Sequence, residues 1–249
     1  MNINFADITG QTIPFDAAND TIYVDGFSAA HLSFSSNGAD LTIYLGGQWA
    51  TLLATDFAAL GATSFSFENG SIADFGTAAD DVVIGSEEAD RLDLSRGGAD
   101  QVDAGFGTDL IVVGAALSAD DEIRGGPSRY EWSYEEDVLV VSGAYDSPVA
   151  LAATTVTGVE KFFFESGTSI DLALADETVG TTGLGHLLLD GSALGQSDRL
   201  QIDGSAVSSG WITALGALDP TSLSVPSWET ILMVVMAKIR SSAATATIR

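Results

Sequence analysis

Four aspartates stand at nearly even spacing between Gly76 and Gly114: Asp81, Asp90, Asp100 and Asp109, separated by 9, 10 and 9 residues. An aliphatic residue follows each one two positions later: Val83, Leu92, Val102 and Ile111. Carboxylates that recur at one phase among glycines suit oxygen ligation of a hard cation. Calcium takes about 6–8 oxygens at ~2.3–2.6 Å, from carboxylates and backbone carbonyls. Glycines let a turn reach positive φ and bring carbonyls close together. The candidate metal-site residues are therefore Asp81, Asp90, Asp100 and Asp109, with Gly98, Gly105 and Gly107 shaping the turns.

The elements that must position these residues follow from the period. A repeat of about nine residues, with Asp at one phase and an apolar residue two later, predicts a calcium-binding parallel β-helix. Each repeat is a turn followed by a short strand whose central aliphatic side chain points inward. Two repeats make one coil, so the turn ending at Asp81 should stack on that ending at Asp100. The turn ending at Asp90 should stack on that ending at Asp109, giving about two cation sites. The best copy of the repeat is Ala104–Val112, AGFGTDLIV.

At these residues the chain resembles the RTX (repeats-in-toxin, haemolysin-type calcium-binding repeat) family over about 40 positions. The resemblance implies a secreted, extracellular protein whose repeats fold when Ca²⁺ binds after export. It also implies type I secretion without a cleaved N-terminal signal. Several positions depart from the family pattern. Ala79 and Glu88 stand where a turn glycine belongs, and Ser95-Arg96 replace an opening Gly-Gly. The expected fold class is all-β, a short parallel β-roll of nonapeptide repeats flanked by β-rich modules. The expected division is an N-terminal β module at 1–75, the roll at 76–114, a β-rich linking module at 115–218 and an atypical tail at 219–249.

Composition narrows the partners. A net charge of −26 disfavours nucleic acid and anionic membranes, and makes cations the natural ligands. There is no cysteine, which excludes disulfides and thiolate metal sites. The N-terminus MNINFADITG has neither a basic nor an apolar signal region, and no apolar run approaches a membrane span. No H-E-x-x-H, G-x-S-x-G or P-loop occurs, so no enzyme activity is expected. His31 and His186 are isolated and read as structural. Glu160 and Glu165 read as residues of one strand rather than a glycosidase pair.

Residues 1–75 read as short strands between turns, with a hairpin at Asn37-Gly38 and with Trp49 and Phe57 in the core. Asp20 and Asp25 read as turn residues. The second functional reading is an adhesin or surface-layer segment whose β modules hold a glycan or protein partner, with Tyr130, Trp132 and Tyr134 as candidate contacts. The tail breaks character: it is basic and apolar, ending in ILMVVMAKIRSSAATATIR. In a shifted frame Trp228/Glu229, Met233/Val234 and Met236/Ala237 each force glycine, and aspartates fall nine apart. Two readings of the tail stand: a frameshift product that begins near Leu218, which is favoured, and a genuine C-terminal amphipathic helix.

Overall fold

A computed structural model describes residues 1–128, 135–182, 185–216 and 223–224. The N-terminal part builds two sheets. Asn2–Asn4, Thr21–Val24 and Phe65–Phe67 pair in parallel. Ser33–Ser36, Leu41–Leu45 and Gln48–Leu53 form an antiparallel meander, with Thr12–Pro14 added in parallel at the edge. The meander follows from the sequence. Asn37 Oδ1 accepts the N–H groups of Ala39 and Asp40, and Gly38 takes φ +87°, which closes the expected hairpin. Alternation then buries Leu41, Ile43 and Leu45 in a core with Ile22, Leu52, Phe65 and Phe75.

Alternation also sends Trp49 outward, on the side of Thr51, where it is 40% exposed. The expectation that Trp49 fills the core is wrong, because in a strand the phase decides the face and hydrophobicity does not. Phe57 is partly buried against the core.

From Ala73 onward successive strands belong to parallel sheets; Ala73 and Phe75 still pack in the first core, and the strands from Val82 on share a second. Seven strands lie side by side in chain order: Ala73–Phe75, Arg91–Asp93, Leu110–Gly114, Val138–Val141, Lys161–Phe164, His186–Gly191 and Trp211–Gly216. Val82–Ile84, Gln101–Asp103, Glu122–Arg124 and Val156–Thr157 form a second sheet. Val149–Ala150, Ser169–Ala173, Arg199–Asp203 and Leu223–Ser224 form a third. Val83, Leu92, Val102, Ile111, Ile123 and Leu139 point into the shared core.

The all-β fold class, with a short roll between β modules, does not hold. The chain is a mixed α/β fold with several distinct, mostly parallel sheets and, among the described residues, two short α-helices, Phe5–Ile8 and Asp176–Gly180. Both helices have local causes. Asn4 Oδ1 accepts Ala6 N–H as an N-cap, and Asp176 and Glu177 occupy the first turn of the second helix. The seven-stranded sheet also outruns the nonapeptides. Partners 18 or 19 residues apart (Ala73–Arg91, Arg91–Leu110) give way to partners 28 apart (Leu110–Val138), and in that last pair the register shifts between Val112 and Gly114.

Candidate cation site in the acidic turns

Each acidic turn ends immediately before a strand, so parallel register stacks the turns. Asp81, Asp100 and Asp121 precede three adjacent strands of the second sheet, and Asp90, Asp109 and Asp137 precede three adjacent strands of the seven-stranded sheet. The carboxylates bind the backbone of the turn before them. Asp81 N–H donates to Asp100 Oδ1 at 2.9 Å, and Asp100 N–H donates to Asp121 Oδ1 at 2.9 Å. In the second column Ile72 N–H donates to Asp90 Oδ1 at 2.6 Å and Asp90 N–H to Asp109 Oδ1 at 2.8 Å. The same column continues with Asp109 N–H to Asp137 Oδ1 at 2.8 Å and Asp137 N–H to Glu160 Oε2 at 3.0 Å.

Asp81 with Asp100, and Asp90 with Asp109, are thus the neighbours that the spacing implies. The spacing does not find Asp121, Asp137 or Glu160. Asp121-Glu-Ile123 and Asp137-Val-Leu139 carry the same Asp-x-aliphatic unit, but they sit 21 and 28 residues after their partners. That unit, read without the period, is the signal that would find them.

The second carboxylate oxygens distinguish the turns. Thr77 N–H donates to Asp81 Oδ2 at 2.5 Å, with the Thr77 hydroxyl close by. Ser86 N–H donates to Asp90 Oδ2 and its hydroxyl to Asp90 Oδ1. Ser118 N–H donates to Asp121 Oδ2 at 2.7 Å. Asp109 has no such partner. Its turn carries Gly105 and Gly107, no hydroxyl reaches back, and Oδ2 is a buried oxygen without a hydrogen bond on a residue 1% exposed. An unsatisfied buried acceptor costs about 1–3 kcal/mol, more if charged.

Electrostatics follow the same pattern. Burial pushes the Asp109 carboxyl up to about 8; the Asp90 N–H opposes this, and the charges of Asp137, Asp90 and Glu135 add to it. Burial pushes Asp137 up to about 7, opposed by the Asp109 N–H and reinforced by Glu160 and Glu135. Burial also raises Asp90 and Asp100.

The turn glycines are sterically required. Gly98, Gly105 and Gly107 have φ of +130°, +95° and +133°. A Cβ would stand 2.4 Å from Ala79 O at Gly98, 2.2 Å from Ser86 O at Gly105 and 2.7 Å from Glu88 O at Gly107. Backbone carbonyls of one turn therefore lie against the glycines of the next.

These residues fit calcium in kind. Asp109 Oδ2 lacks a partner, the nearby donors are oxygens, and the carbonyls of Ser86 and Glu88 flank the glycines of its turn. Among the described residues no three acidic or imidazole side chains are grouped to hold a metal, so backbone carbonyls and water must complete any site here.

Other candidates lie apart. His31 ends a 3₁₀ turn at the surface, and His186 Nε2 pairs with the Thr213 hydroxyl at 2.8 Å. Asp20 accepts the N-terminal ammonium and the Asp16 N–H, as a turn residue does. Glu160 and Glu165 flank the strand Lys161–Phe164. Tyr130, Trp132 and Tyr134, and the tail from Asp219 apart from Leu223–Ser224, lie outside the described residues.

No family model matches the chain, and neither a curated protein nor a solved structure matches it. Among the described residues no helix is long and apolar enough to cross a membrane.

Proposed function

We propose that the protein is a non-enzymatic calcium-binding module whose principal site is the Gly105–Asp109 turn. The observation that carries this reading is the buried, unpartnered Asp109 Oδ2. A divalent cation there would satisfy that oxygen and would offset the repulsion from Asp90, Asp137 and Glu135; the Ser86 and Glu88 carbonyls, which already accept Phe106 N–H and the Ser86 hydroxyl, would offer it their second lone pairs. Asp109 and the Ser86 and Glu88 carbonyls would hold the ion, and the Gly105 and Gly107 backbone would leave room for it. Asp81 and Asp90, already bonded within their own turns, would contribute less.

The RTX-like spacing supports the same ligand and an extracellular setting reached by type I secretion. Calcium modules working outside cells bind with Kd of roughly 10⁻⁴–10⁻³ M, which suits a site with few carboxylates. Calorimetric titration of chelator-treated protein with CaCl2 tests the proposal. Saturable heat at millimolar or lower calcium is expected, with Asp109→Asn at least about tenfold weaker. Absence of heat at millimolar calcium would sink it.

A further inference from the structure

The meander of the N-terminal part carries a face unlike the rest of the molecule. None of the residues in its four strands, Thr12–Pro14, Ser33–Ser36, Leu41–Leu45 and Gln48–Leu53, is charged. The whole chain meanwhile holds 35 acidic and 9 basic residues. Trp49 and Thr51 point outward from one strand, Tyr44 and Thr42 from the next, and Ser33 and Ser35 from the third. Tyr44 and Trp49 are direct cross-strand partners, 41% and 40% exposed. Together with Leu53 on the same side they make up three of the seven exposed large hydrophobic side chains among the described residues.

Two exposed aromatic rings in register are costly to leave in water and are characteristic of a contact surface. The hydroxyls beside them define the contact. Ser33 lies opposite Tyr44 and Ser35 opposite Thr42, while the Thr42 and Thr51 hydroxyls meet at 2.9 Å. Such a row is matched by a partner that supplies hydrogen bonds along its length, which an apolar protein patch does not. A pyranose does: its C–H face packs on an aromatic ring and its hydroxyls pair with Ser and Thr. The face is three strand spacings wide, about 14 Å, room for about three sugar rings.

Charge selects among sugars. No cation stands on the face to pair with a uronate or sulfate, and the net charge of −26 repels acidic polymers. We propose that this face binds a neutral polysaccharide, with Trp49 and Tyr44 as the stacking residues. The site is separate from the acidic turns and does not require the calcium reading.

Affinity electrophoresis of the full chain tests the proposal, in native gels containing a soluble β-glucan, a galactomannan or dextran, with alginate as the acidic control. Retardation by at least one neutral polymer and none by alginate is expected, with or without calcium. Trp49→Ser and Tyr44→Ser should each weaken it roughly tenfold or more, with the fold kept and the melting temperature lowered only slightly by the loss of one cross-strand pair. Asp109→Asn should leave it intact, so that loss of calcium binding and loss of glycan binding are read independently. No retardation by any of the three neutral polymers, equal retardation by alginate, or unchanged retardation of a double variant that combines Trp49→Ser with Tyr44→Ser would overturn the proposal. So would a dimer, seen by sedimentation, that the double variant dissociates, because the face would then be a self-contact.

Discussion

The turns Ser86–Asp90 and Gly105–Asp109 sit one above the other, joined by the bond from Asp90 N–H to Asp109 Oδ1. Each ends in a buried aspartate that precedes a strand of the same sheet, and each aspartate is followed two residues later by a fully buried aliphatic, Leu92 or Ile111. They differ in the residue four positions before the aspartate. Ser86 supplies an N–H and a hydroxyl to its carboxylate, so the protein satisfies Asp90 by itself. Gly105 supplies neither, and Asp109 Oδ2 is left alone. Presence of an aspartate in the period is thus insufficient to mark a cation site. What matters is whether the turn has already used both carboxylate oxygens.

The largest effects should be the ones the two turns share. Leu92→Ala and Ile111→Ala each remove a side chain with no exposure from one core, and each should cost about 2–5 kcal/mol. A difference of more than about 2 kcal/mol between them in denaturant unfolding would show that the turns are not equivalent in packing.

Next is the charge itself. Asp109→Asn keeps an acceptor for Asp90 N–H and removes the buried charge. In chelator at pH 8 it should stabilise the protein by roughly 1–3 kcal/mol, whereas Asp90→Asn should destabilise it. Equal signs for the two substitutions would break the comparison.

The pH dependence has a definite sign. Asp109 and Asp137 have folded-state pKa values of about 8 and about 7, above the ordinary carboxylate value. The folded state therefore binds more protons than the unfolded one across the window between those values. Stability without metal should be highest near pH 4 and fall as pH rises through 7 to 8. Saturating calcium should flatten that fall, which thermal melts at several pH values would show. A metal-free melting temperature that rises from pH 5 to pH 8 would contradict the assignment.

The smallest effect is at Ser86. Ser86→Ala removes the hydroxyl from Asp90 and should cost about 0.5–1.5 kcal/mol without calcium. Calcium should not recover this loss, because the residue-86 N–H still holds Asp90 Oδ2 and Ile72 N–H still holds Oδ1. A loss that calcium recovers would mean that the hydroxyl governs ion occupancy.

The stacking of the acidic turns was legible in the chain. The 9-residue phase identifies Asp81, Asp90, Asp100 and Asp109 and pairs them correctly, and Gly98, Gly105 and Gly107 stand where no side chain fits. Asp137 is visible in the chain as a further Asp-x-aliphatic unit with Leu139, set aside because no calcium turn precedes it in the sequence, and Asp121 and Glu160 are missed because segments of varying length separate the later strands. The two short helices escaped notice because each depends on a cap or first-turn charge rather than on an apolar period. Trp49 was misplaced because its aromatic character was weighed above its phase in the strand.

By itself the sequence determined the acidity, the Asp-x-aliphatic units, the Asn37-Gly38 hairpin and the turns that only glycine can make, since these depend on residues close together along the chain. Only the tertiary structure decided which carboxylate oxygen is left without a partner, how far the seven-stranded sheet extends, and that Tyr44 and Trp49 share one uncharged face. Those outcomes rest on contacts such as Asp90 with Asp109, 19 residues apart. They depend on strand register and on which groups water can still reach, and neither is set by any single stretch of residues.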